Sequence, residues 1–334
     1  MGARGGAEVG AVVTDDAIPE RLAQIEGSRL RDHLFHLSAD PLPFRKLNYT
    51  IPGHDRCTLY EADDYIVGQL QDCGYEVKQE GVVVQAFRTD RSRPMPHQFS
   101  HPEREDPSYT AYNLYARMTG TRLPAEYLVV IAHKDSQSWT DSPGAYDNAS
   151  GTAAVLEMAR ALSSYESKRS IWFVYCNDEH TPWTSAVVAQ GMADACLTVR
   201  GVINVDSIGG RAQAEVDAGR LTQCTRFTTP EGEALAQRTA QLNERYQLGL
   251  ITGRFQSEQP NDDDGSFIKA GIPAAVLHIG SFPYGNPDYH ASTDTPDKVD
   301  IDLITRSARL SLALLLDLDR ESRIEGSIWN PTSG

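Results

Sequence analysis

The sequence predicts an α/β protein of three layers, with a mainly parallel, mixed central sheet flanked by helices on both faces. Three observations lead there. Short apolar runs, Leu128-Val129-Val130-Ile131, Ile171 to Cys176, Gly201 to Val205 and Ile272 to Ile279, alternate with stretches of helical periodicity. The run Ile171-Trp172-Phe173-Val174-Tyr175-Cys176 is continuous, as in a strand buried on both faces. Four of the strands are followed by an acid or a histidine, where open α/β sheets place their ligands.

Taken in order, residues 1–17 are rich in Gly and Ala, show no period, and are expected to be disordered. From Pro19 to Leu37 the residues Leu22, Ile25, Leu30, Leu34 and Leu37 recur at helical spacing, with a break near Gly27-Ser28. Three prolines make residues 40–53 a loop. Leu59 to Cys73 reads as a helix stopped by Gly74, and Tyr75 to Arg88 as a strand. Residues 89–109, rich in proline and charge, are expected to be a surface insertion or flap, and His97 and His101 within it plain loop histidines. Strands follow at Tyr112–Met118 and Tyr127–Ile131, then a loop carrying His133, Asp135 and Asp147, and a helix from Thr152.

After the Ile171–Cys176 strand come Asn177-Asp178-Glu179-His180, a helix over Ala186–Ala195, and a strand ending on Asp206. A second surface insertion is expected near residues 211–229, followed by a helix over Glu231–Tyr246. The last strand leads into a loop with His290 and a leucine-rich helix over Ile301–Leu318.

The formal net charge of −15 argues against nucleic-acid and anionic-membrane partners. No stretch approaches the ~20 apolar residues of a membrane-spanning helix. The five scattered cysteines lack CxxC spacing and suit a reducing compartment. With no signal-peptide core in view, a cytoplasmic protein is expected.

The strand-end residues His133, Asp135, Asp178, Glu179, Asp206 and His290, together with Asp147, suggest a metal site. All are nitrogen or oxygen donors, which suits zinc and tolerates cobalt or manganese. Even five ligands from this set exceed what one catalytic zinc takes, so two zinc ions are expected, with Asp147 as the natural bridging carboxylate.

The motifs AHKDS, PGAYDNASG, the Asp178-Glu179 pair, VINVDSIGG and YHASTDTPDKVD resemble those of the di-zinc exopeptidase family, metallopeptidase family 28, which includes aminopeptidases, glutamate carboxypeptidase and glutaminyl cyclase. The resemblance runs over about residues 18–318 and implies that residues 18–334 form one domain of the zinc-peptidase (phosphorylase/hydrolase-like) type. It implies that His133 and Asp206 bind one zinc, Glu179 and His290 the other, and that Asp147 bridges them. Asp178 would be the general base, and Asp135 would orient His133. The family usually has Glu-Glu followed by a Gly-containing turn, whereas this chain has Asp178-Glu179-His180-Thr181-Pro182-Trp183. An aspartate shortens the base's reach by about an ångström, so that either the loop makes up the length or the base is weakened.

His180 and His278 read as structural histidines. Asn261-Asp262-Asp263-Asp264 reads either as a polar loop near substrate or as an acidic turn, and Trp139, Trp183 and Tyr284 either as pocket walls or as packing. The implied activity is aminopeptidase hydrolysis of the bond after a free amino terminus, with a peptide or small amide as substrate. Two alternatives are a glutaminyl-cyclase-like aminoacyl transferase on the same fold and a non-catalytic metal-binding relative.

Overall fold

The computed structural model describes residues 18–281 and 284–321, so the expectation for residues 1–17 lies outside the described residues. Helices α1 (Ile18–Ala23), α2 (Gly27–Ser38) and α3 (Thr58–Asp72) come first. Strand β1 (Val77–Ala86) and the short β2 (Arg88–Thr89) and β3 (Phe99–Ser100) lead into β4 (Ser108–Met118) and β5 (Leu123–His133). Next are α4 (Ser150–Leu162), β6 (Arg169–Cys176), the two-residue β7 (His180–Thr181), α5 (Ser185–Asp194) and β8 (Thr198–Val205). The described residues end with α6 (Gln213–Asp217), β9 (Thr222–Phe227), α7 (Pro230–Arg245), β10 (Ile251–Gln256), α8 (Asp262–Lys269), β11 (Ala275–Ile279) and α9 (Ile301–Arg320).

Among the described residues, nine strands form one sheet in the order β10-β9-β11-β8-β5-β6-β4-β1-β7. The four central strands β11, β8, β5 and β6 are mutually parallel, and antiparallel pairings begin on either side, at β9 and at β4. Alternation along β5 shows why its run is wholly apolar. Leu128, Val130 and Ala132 point into the large core under α2, α4 and α9, and Val129 and Ile131 into the core under α5 and α8. No helix among the described residues is long and apolar enough to cross a membrane.

Local signals account for the long helices. The side chain of Thr229 caps α7 by accepting from Gly232 N at 3.0 Å, with Pro230 in the first turn and Glu231 and Glu233 near the positive end of the helix dipole. Asp300 caps α9 through Leu303 N at 3.0 Å, and that helix buries a leucine-rich stripe against the sheet.

One expectation needs correction. The stretch 211–229, expected as a surface insertion, contains β9, a buried strand of the sheet between β10 and β11. Its inward residues include Gln223, Thr225 and Arg226, so it shows no apolar run. Arg226 is tolerated there because it pairs with Asp262 and Asp264 of α8. Asn261 to Asp264, expected either as a polar loop near substrate or as an acidic turn, form the start of α8: three aspartates occupy its first turn, where the helix dipole accommodates them, and Asn261 and Asp262 line the cleft.

Candidate metal centre

Because β11, β8, β5 and β6 run in the same direction, their carboxyl ends share one edge, and the residues just beyond them converge. His133 ends β5, Asp178 and Glu179 follow β6, Asp206 follows β8, and His290 lies in the loop after β11. Asp147 enters from the turn before α4. Gly144 starts that turn with φ +60°, and a Cβ there would come within 2.5 Å of the Asp147 carbonyl. At Gly151 a Cβ would stand 2.1 Å from the Val205 carbonyl, so glycine lets α4 press against the end of β8.

Asp147 stands at the centre. Its Oδ1 lies 3.0 Å from His133 Nε2, which is also 3.4 Å from Asp206 Oδ1. Its Oδ2 lies 3.0 Å from His290 Nε2, which is 3.4 Å from Glu179 Oε1. The five residues are between 2% and 8% exposed.

Each imidazole is turned the same way by a backbone carbonyl. His133 Nδ1 donates to the Asp135 carbonyl at 3.2 Å, and His290 Nδ1 to the Pro96 carbonyl at 3.1 Å, which leaves both Nε2 atoms facing carboxylates. The second acceptor belongs to the 89–109 insertion, so this flap orders part of the site. His97 and His101 are exposed loop residues; His97 borders the cleft and the His101 ring lies 5.7 Å from that of Phe87.

Asp135 differs in its detail from the expected orienter of His133. Its carboxylate lies 3.4 Å from His133 Nδ1, but its closer partners are Asp178 N and Glu179 N, each at 3.0 Å, and His180 Nδ1 at 2.8 Å. It therefore clamps the backbone that carries Asp178 and Glu179. His180 is fully buried in that clamp, and His180 and Thr181 pair with Ala86 and Gln85 of β1. The unusual His-Thr-Pro-Trp sequence is thereby anchored at its start and delivers Trp183 to the cleft wall.

Three supports escaped sequence reading. Gln137 donates its amide to Asp147 Oδ2 at 2.9 Å and Glu179 Oε1 at 2.7 Å. Asp294 accepts from the N–H groups of Tyr146 (2.7 Å) and Asp147 (3.1 Å). Arg45, fully buried, donates to the carbonyls of Lys134 (2.7 Å), Pro143 (2.8 Å), Gly144 (2.7 Å) and Leu37. Arg45 and Asp294 lie in loops distant in sequence, and only their burial beside polar backbone marks them.

The electrostatics favour cations here. Burial pushes the Glu179 carboxyl up to about 7, and burial also raises Asp206. Burial alone would lower the His290 ring; the carboxylates of Glu179 and Asp147 outweigh it and hold the ring at about 10. Such a set retains protons unless metal ions replace them. Single donor atoms of His133, Asp147 and Glu179 also lie within 4.8 Å of one another. Two imidazoles and three carboxylates, each imidazole presenting Nε2, fit zinc.

The centre opens into a cleft of about 430 Å³ walled by Trp139, Trp183, Tyr284 and Tyr289. Tyr289 stacks on the His290 ring at 3.8 Å. Asp178, half-buried, also faces this cleft, and burial first, then the charge of Asp263, raises its carboxyl well above the usual range. His278, by contrast, lies away from the centre, fully buried against Ser311 at 2.7 Å.

Comparison with known proteins agrees in outline. The model of peptidase family M28 matches residues 113–315. A probable zinc metalloprotease of Pyrenophora tritici-repentis is 25% identical over 280 residues, covering 67% of this chain and 58% of its own length. A probable leucine aminopeptidase of Trichophyton verrucosum is 25% identical over 235 residues, covering 66% of this chain and 61% of its own. The chain thus spans less than two thirds of either relative. Among solved structures, the LapA aminopeptidase of Legionella pneumophila superimposes with a TM-score of 0.70 at 18% identity, over 96% of this chain and 78% of that one.

Proposed function

Since the chain belongs to peptidase family M28, we propose that it is a zinc-dependent aminopeptidase, hydrolysing the first peptide bond of substrates with a free amino terminus. One observation carries this reading: the two oxygens of Asp147 face two separate imidazole–carboxylate pairs. His133 and Asp206 would hold one zinc, Glu179 and His290 a second, and Asp147 both. Zinc bound there supplies Lewis acidity toward the scissile carbonyl and lowers the pKa of a water molecule.

The rest of the chemistry falls to the chain's own groups. Asp178 takes the proton of the attacking water on its carboxylate and returns it to the nitrogen of the leaving amine. The hydrogen bonds from Asp178 N and Glu179 N to Asp135 fix the backbone beneath it. Burial, then the charge of Asp263, raises the affinity of Asp178 for a proton, which supports a group that accepts one from water and hands it on. The aromatic walls shield the cleft from bulk water and offer an apolar surface to the first side chain. Five free cysteines support placing the protein in a reducing compartment.

The test is Asp178→Asn, assayed on aminoacyl-nitroanilides alongside metal counting. Turnover is expected to fall by ~10²–10⁴-fold with two zinc ions retained per chain. Unchanged turnover with both ions present would remove Asp178 from the mechanism, and a wild-type chain that binds no zinc would overturn the reading. Pyroglutamate formation from amino-terminal glutamine, with one zinc per chain, would favour a cyclase instead.

A further inference from the structure

A second groove, of about 560 Å³, adjoins the metal cleft. Phe87, Phe99 and Trp183 line both, so the two form one continuous depression. Beyond Trp183 the groove runs past Pro182 and Ala270 to Lys269. The Lys269 ammonium lies 5.8 Å from the Trp183 ring centroid, and no carboxylate among the described residues pairs with it.

Charge is therefore divided along one path. The metal-cleft end carries the carboxylates of Asp178 and Glu179, and the far end carries an exposed cation with no carboxylate partner among the described residues. Both ends are set by α8, whose first residue is Asp262 and whose last is Lys269. Seven residues of helix rise about 10 Å. An extended peptide advances about 3.5 Å per residue, so roughly three residues cover that span. A free peptide has the matching polarity, an amino group at one end and a carboxylate at the other.

We propose that this groove binds the leaving portion of a short peptide and that Lys269 pairs with its terminal carboxylate, so that the preferred substrates are free peptides about three residues long. The proposal rests on the aminopeptidase reading above for the direction in which the peptide lies. The aromatic walls are sequence-tolerant surfaces, and so the groove selects for length and a free carboxylate more than for side chains. Blocking the carboxylate as an amide removes the charge that Lys269 meets and keeps the shape.

Binding tests this without requiring turnover. The probe is Leu-Gly-Gly with its first amide reduced to a methylene-amine, prepared as the free acid and as the carboxamide, and titrated calorimetrically into the zinc-loaded full chain. The acid is expected to bind about fivefold more tightly than the amide, the size of a partly exposed ion pair. Lys269→Gln is expected to abolish that preference, and to raise KM for Leu-Gly-Gly while leaving kcat, and hydrolysis of leucine nitroanilide, unchanged. Equal binding of acid and amide by the wild type, or a preference that survives Lys269→Gln, would overturn the proposal. Retained discrimination without cleavage of Leu-Gly-Gly would sink the aminopeptidase reading and leave the groove assignment standing.

Discussion

Replacing Asp135 with asparagine decides which part of the centre this buried carboxylate serves. Its Oδ1 accepts from Asp178 N, and its Oδ2 from Glu179 N and His180 Nδ1, all within 3.0 Å. An asparagine can keep its oxygen at the Oδ2 position, but its amide nitrogen then meets the Asp178 N–H donor to donor. One charge-assisted bond of about 1.5–3 kcal/mol is lost, and the two that remain become neutral bonds, each weaker by about 1 kcal/mol. Removing a buried charge returns part of its desolvation cost. The net loss is about 3 kcal/mol, read from urea unfolding of the chelated protein. Zinc affinity, measured by calorimetric titration, is expected to drop ~10- to 100-fold, chiefly at the Glu179–His290 pair, whose backbone has loosened. Stability within about 0.5 kcal/mol of wild type, with both zinc affinities intact, would refute the clamp. A loss confined to the His133–Asp206 pair would make the contact to His133 the one that matters.

Three further outcomes are expected. Arg45→Met strands the buried carbonyls ahead of Asp147 and should destabilise the protein by about 3–5 kcal/mol in thermal unfolding, with Arg45→Lys recovering only part because one ammonium cannot reproduce the fork. Gln137→Leu removes the amide shared by Asp147 and Glu179, and zinc titration should show one ion bound about tenfold more weakly while circular dichroism is unchanged. Burial lowers the His278 ring to about 3, below its unfolded value near 6.5, so the unfolded chain takes up the proton first. Its contribution is complete above pH ~6.5 and is lost as pH falls toward 3, at up to about 1.4 kcal/mol per pH unit. His278→Gln should therefore flatten the pH dependence of apo-protein stability between pH 7 and 5 by about 2 kcal/mol, and an unchanged slope would show that another group carries it.

Legibility followed how locally each feature is determined. The strands at Leu128–Ile131 and Ile171–Cys176 stood out because burial on both faces demands unbroken apolar runs, and the structure places both in the parallel centre of the sheet. β9 did not stand out because Arg226, Thr225 and Gln223 are buried in it, and no local pattern reveals the α8 carboxylates that pair with Arg226. β10, an edge strand with mostly exposed residues, carried equally little signal. Within the centre, the strand-end position of His133, Asp178, Glu179, Asp206 and His290 was visible in order and type; the structure gathers His133, Glu179, Asp206 and His290 around Asp147 and sets Asp178 in the adjoining cleft wall.

What the sequence determined by itself was therefore the set of donors and the sheet edge at which they collect, because period and residue type are properties of the chain. Only tertiary structure decided how those donors are aimed. The Pro96 carbonyl turns His290, the Asp135 carboxylate grips the peptides of Asp178 and Glu179, and Arg45 holds the turn before Asp147. Each of these contacts joins residues far apart in sequence, and a hydrogen bond's direction depends on where two backbones meet, which no spacing along one chain encodes.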